Sequence, residues 1–157
     1  MKRIVSLVVS ILALGAASLS AQTRAATPAQ AALPTRTPPA GRVVRVRMVM
    51  NGTHPLFEPA ALTVKQGDIV EFVNVSGAPH NVSFEAPKIP AGAAAVLNAS
   101  MASKMMPLMG PMMTTANQAY RVSFAGAPVG TYEVFCMPHK ALGMKMVVTV
   151  QPSTGRN

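Results

Sequence analysis

Apolar and polar positions alternate along residues 44–50. Val44, Val46, Met48 and Met50 fall on one parity, and Arg45, Arg47 and Val49 on the other. A period of two places one face of a strand in a core and the other toward water. Pro55 and Pro59 break the pattern, and 61–64 resumes it as a short strand. Gln66, Gly67 and Asp68 then make a turn, and the β-branched run 69–75 predicts a strand with Glu71 and Phe72 on opposite faces. A second turn, 76–79, precedes a strand over 80–84, and further strands are predicted over 119–124, 131–135 and 144–150, with a turn at 126–130. About seven short strands separated by Gly/Pro turns predict an all-β, antiparallel β-sandwich. Only 91–103 reads as a short helix.

The chain starts differently. Lys2 and Arg3 precede an apolar run over 4–14 and small residues over 15–21, the pattern of an export signal ending between 18 and 26. About a dozen apolar residues are too few to span a bilayer comfortably, and no cysteine near the junction could take a lipid anchor. Residues 22–41 are Ala-, Pro- and Thr-rich and predict a linker rather than core. That leaves one domain over 42–151 and a tail over 152–157. With no Trp and few aromatics, Val, Leu, Ile, Ala and Met must fill its interior.

The formal charge is +9, or +7 once Lys2 and Arg3 are removed. No interleaved basic and aromatic run of the stacking kind accompanies it, so nucleic acid is not the expected partner. An acidic redox partner or an anionic membrane surface suits the charge better.

Cys136 is the one cysteine, so no disulfide can form within the chain. It opens the spacing C-x2-H-x4-M with His139 and Met144. A thiolate, two imidazoles and a weak axial thioether make up the blue-copper electron-transfer site. His80, opening a strand after a proline turn, is the expected fourth ligand. His54, in a loop before Pro55, is the fallback and otherwise a surface residue. Residues 104–113 hold five methionines and two prolines and predict a loop. Its thioethers are either apolar filler over the sandwich or soft donors for Cu(I), and filler is the expectation because no His or Cys joins them.

The segments Gly-Ala-Pro-His-Asn-Val-Ser-Phe (77–84) and Tyr-Glu-Val-Phe-Cys-Met-Pro-His-Lys-Ala-Leu-Gly-Met (132–144) resemble the paired copper motifs of the plastocyanins, blue-copper proteins of the cupredoxin fold. The likeness spans about 43–150 and includes Phe-Glu-Pro-Ala-Ala-Leu-Thr-Val-Lys-Gln-Gly-Asp (57–68). It implies a Greek-key sandwich holding one type 1 copper through His80, Cys136, His139 and Met144. It also implies that Asn81 ties the two ligand loops together and that Pro138 stiffens the second. The implied activity is one-electron transfer by an exported, monomeric, non-enzymatic carrier, periplasmic or secreted, between a redox donor and acceptor. The alternative is copper storage or delivery through the methionine loop. Plant members carry acidic residues after the first copper histidine, whereas this chain has Ala, Met, Lys88 and Lys104 there.

Overall fold

The computed structural model describes residues 41–153. The predicted signal, the linker up to residue 40 and tail residues 154–157 lie outside the described residues. Strands β1 (Val43–Asn51), β2 (His54–Glu58), β4 (Ile69–Asn74) and β6 (Ala119–Ser123) form one sheet in the order β2-β1-β4-β6. Strands β3 (Ala61–Lys65), β5 (Ser83–Phe84), β7 (Gly130–Phe135) and β8 (Lys145–Gln151) form the other, in the order β3-β8-β7-β5. Helix α1 (Ala93–Ser100) lies between β5 and β6 in the chain.

The sandwich is as predicted, but its sheets are mixed rather than purely antiparallel. β1 pairs parallel to β4, and β3 parallel to β8. A tight hairpin forces antiparallel pairing, whereas strands joined through the opposite sheet are free of that constraint. β3 belongs to the second sheet, so the chain leaves the first after β2 and re-enters it at β4 alongside β1. Short turn spacings in a sequence do not reveal such crossings.

Pro55 does not end a strand either. It is buried in β2, paired with Met50. β2 is an edge strand, where a residue without an N–H costs the ladder nothing on its outer side. Gly52, at φ 58°, turns the two-residue hairpin that joins β1 to β2. His54 is therefore a strand residue, and it is exposed.

Alternation holds where it was predicted. Val46 and Met48 of β1, Val70 and Phe72 of β4, and Val148 and Val150 of β8 are fully buried. Phe57 meets Phe72 edge-on at 6.0 Å, and Phe124 meets Tyr132 at 5.4 Å, filling a core that has no Trp. On the outer face, the register sets Glu71 between Arg45 and Arg121, and its carboxylate pairs with both guanidiniums. Hydrogen bonds from Arg121 and then Arg45 hold the Glu71 pKa below its usual value. Its contribution to stability is present above the ordinary carboxylate pKa and is lost as pH falls through the depressed one.

The methionine segment is an ordered edge rather than a loose loop. It runs beside 80–84 with backbone bonds Phe84 N–H to Leu108 O (2.9 Å), Gly110 N–H to Val82 O (2.8 Å) and Met113 N–H to His80 O (2.8 Å). Leu108 and Met113 enter the core. Gly110 permits the close approach, since a Cβ there would sit 2.7 Å from Tyr120 Cε1.

Candidate metal centre

Three of the four predicted site residues sit around the seam where β7 and β8 stop pairing. Cys136 follows the last residue of β7, and Met144 precedes the first residue of β8. The Cys136 N–H donates to Met144 O at 3.1 Å. Between them, Met137–Leu142 winds as a short 3-10 segment with Pro138 in its first turn, where a missing N–H is harmless. The His139 N–H donates to Cys136 O (3.1 Å), and the Met144 N–H to His139 O (3.2 Å). Gly143 ends the segment at φ 82°, a left-handed conformation with open space around it, so backbone freedom is what the position requires.

His80 lies three residues before β5, which is shorter than the strand predicted over 80–84, and is held by an isolated bridge to Met113. Its backbone pairs in both directions with Met113, at 3.0 and 2.8 Å. Its Nε2 lies 3.1 Å from Ser76 Oγ. A proton on Nε2, accepted by that hydroxyl, leaves the Nδ1 lone pair for a ligand, the usual way an outer hydrogen bond sets a metal-binding imidazole. Ser76 carried no signal in the sequence beyond its place in a turn. Asn81 ties the two loops together, because its Oδ1 accepts the Met137 N–H at 2.7 Å. Its Nδ2 is buried without a partner among the described residues, as is Ser83 Oγ.

The inward donors converge. Cys136 Sγ is 3.6 Å from His80 Nδ1 and 3.5 Å from His139 Nδ1, and the two Nδ1 atoms are 3.2 Å apart. The point equidistant from these three atoms lies about 2.0 Å from each, close to the metal–imidazole bond length of about 2.0–2.1 Å. Among the described residues they are the only such cluster of three His, Cys, Asp or Glu donors. Cys136, His80 and Met144 are buried, and His139 is half-buried. His54 lies in the hairpin strand, outside this group.

Burial governs the electrostatics. It lowers the His80 pKa to about 4, aided by the charge on His139, and it lowers that of His139 too, so both rings are neutral donors at neutral pH. Burial raises the Cys136 thiol pKa, against hydrogen bonds from the Asn81 and His139 backbone N–H groups. A sulfur with two such donors is prepared to carry negative charge once a cation offsets its desolvation. Soft sulfur, borderline nitrogen and a trigonal layout fit copper.

Residues 44–151 match the family of copper-binding proteins of the plastocyanin/azurin type. The plastocyanin of Scenedesmus fuscus is 37% identical over 108 residues, covering 69% of this chain and 99% of that protein. The plastocyanin of Prochlorothrix hollandica is 35% identical over 114 residues, covering 73% and 77%. The solved structure of oxidized plastocyanin from Dryopteris crassirhizoma superposes with a TM-score of 0.52 at 27% identity, covering 69% of this chain and 100% of that one. The chain belongs to the plastocyanin/azurin family of copper-binding proteins. It is a small blue-copper electron-transfer protein, with copper as its cofactor.

Proposed function

We propose that His80, Cys136, His139 and Met144 together hold a single copper ion, and that the domain over 42–151 carries single electrons between two other redox proteins without acting on a substrate. The reading rests on the convergence of Sγ and two Nδ1 atoms at metal-bond radius. Bound there, copper supplies a one-electron Cu(II)/Cu(I) couple. The chain supplies rigidity. His80 is fixed by its two backbone hydrogen bonds to Met113 and by Ser76, and Cys136 and Met144 by their shared hydrogen bond. Asn81 clamps the second loop to the first. Ligands that stay put on either side of an electron transfer keep reorganisation small. Four protein donors also leave no position for a substrate.

His139 is the half-buried ligand, and beside it Leu142 is 64% exposed, with Pro79 and Ala141 also at the surface. This apolar edge is the proposed point of contact with partners. Lys140 is drawn away from partners, since it pairs with Glu85 and lies over the Phe135 ring. Steering of an acidic partner therefore falls more to exposed Lys145. Export through the 1–21 signal to a periplasmic or secreted location belongs to the same reading. No helix among the described residues is long and apolar enough to cross a membrane.

The test is the visible spectrum of copper-loaded protein. An intense thiolate-to-copper band, lost in Cys136→Ser, is the expected outcome. A band that survives that substitution would overturn the assignment.

A further inference from the structure

Packing accounts for part of the methionine segment and leaves part of it over. Leu108 and Met113 are in the core, but Met105 is 53% exposed and Met106 is 61% exposed. These two side chains are largely exposed, yet they stand on a turn closed by backbone hydrogen bonds. The Met109 N–H donates to Met106 O (3.0 Å), and the Met105 N–H to Met109 O (3.0 Å), closing a turn over Pro107 and Leu108. Leu108 adopts φ 62°, a conformation that a branched, bulky side chain rarely takes and holds only where its surroundings over-determine it. Those surroundings are visible. Asn98 Oδ1 of α1 accepts the Leu108 N–H at 2.8 Å, Leu108 O accepts from Phe84, and the side chain is buried.

Met106 and Met109 are bridge partners across the turn. Paired residues share a face, with Cβ atoms about 4.5–5.5 Å apart. A thioether on an unbranched chain with three rotatable bonds reaches inward from that separation, so two sulfurs can meet on one ion. Met105, next in the chain, is exposed as well. The Lys104 ammonium is turned elsewhere, donating to the carbonyls of Asn98 and Met101 at 2.7 Å each. The only three-donor cluster of His, Cys, Asp or Glu among the described residues is the main centre, so a ligand here would be bound through thioether sulfur.

We propose that the Met106–Met109 turn, with Met105 beside it, is a second, accessible binding site for a cuprous ion, distinct from the buried centre. Thioether donors select Cu(I) over Cu(II) and over harder divalent cations. The site stands independently of which residues hold the buried copper, because its donors lie on a different segment, with Met106 exposed and Met109 half-buried. It also lies on the segment that runs to Met113, the backbone partner of His80, so cuprous ions would be held beside the segment that carries a ligand of the main centre.

The experiment uses Ag(I), a closed-shell monovalent ion as soft as Cu(I), with the full-length, copper-loaded blue protein. Equilibrium dialysis is expected to find one silver per chain while the visible band keeps its intensity. Met106→Leu/Met109→Leu conserves volume and should keep the band and the melting temperature. It should weaken silver binding at least about tenfold, since even losing an outer partner costs a metal site about 10–100-fold. Met48→Leu, in the core, should leave silver binding unchanged. No silver retained by blue protein, bleaching in step with silver uptake, or equal binding by the double variant would each overturn the proposal.

Discussion

Two loops flank the segment 80–84 that carries His80, and they use sulfur in opposite ways. On one side, 136–144 buries Cys136 and Met144, closes them with a hydrogen bond across the loop, and aims Sγ at two ring nitrogens. On the other, 105–113 sends Leu108 and Met113 inward and leaves Met105 and Met106 in water. Both are pinned to the sandwich, so rigidity does not distinguish them. Burial does. A desolvated thiolate and neutral imidazoles gain most from a cation and release it slowly, while exposed thioethers stay hydrated and exchange freely. Position relative to solvent, more than residue type, separates a held redox metal from a surface site.

Within the buried loop system the same contrast can be drawn between the two histidines, and it gives the largest expected effect. His139 is half-buried and His80 fully buried. His139→Gly should lose the blue band but regain one when imidazole is added, because the gap opens to solvent. His80→Gly should not be rescued, because His80 is fully buried and its place is closed off from solvent. Spectra of the two variants with and without imidazole check this. Equal rescue of both would show that exposure does not order the ligands.

Asn81→Ala should come next. It leaves the Met137 N–H without its acceptor at a part-buried position. An orphaned buried donor costs about 1–3 kcal/mol, offset in part here because the unpaired Nδ2 disappears with the side chain. Urea unfolding of copper-depleted protein measures it. No loss of stability would mean that the two loops are held together without this clamp.

Much of this was legible in the sequence, for identifiable reasons. The C-x2-H-x4-M spacing survives folding because Cys136 and Met144 abut adjacent strand ends and have little freedom, whereas the strand expected over 80–84 shrinks to Ser83–Phe84 and leaves His80 in a single bridge to Met113. The alternation over Val44–Met50 predicted β1 because the strand is half buried and period two is then unavoidable. Three features were not readable. The parallel pairings depend on crossings between sheets, Pro55 lies within a strand because that strand is an edge, and the order of the methionine segment comes from backbone bonds to 80–84 that composition does not encode. Ser76, which orients His80, was invisible for the same reason: its role is set by a turn in three dimensions.

Met144→Leu should have a smaller effect. In the proposed site a weakly bound thioether would favour Cu(II), so its loss should keep the blue colour and raise the reduction potential. An increase of about 59 mV corresponds to a tenfold shift toward the reduced form in a one-electron couple. Protein-film voltammetry would read it, and an unchanged potential would remove Met144 from the ligand set. Met106→Leu, on the other loop, should leave the potential where it is.

The smallest effect expected is on rate alone, and it asks which loop meets the partner. Transient redox contacts bury little surface, less than about 1,200 Å² in total, so a charge placed at the centre of one has few neutral contacts to dilute it. Leu142 is 64% exposed beside His139, the ligand nearest solvent. Leu142→Glu should therefore slow electron exchange with a physiological acceptor severalfold while spectrum and potential hold. Raising the salt should weaken any steering by Lys145, because exposed charges are screened over about 8 Å at physiological ionic strength. Stopped-flow kinetics on Leu142→Glu and Met106→Glu side by side decide the matter. Slowing confined to the first places the contact over the ligand loop. Slowing confined to the second would move it to the methionine turn, and the division of labour between the two loops would have to be redrawn.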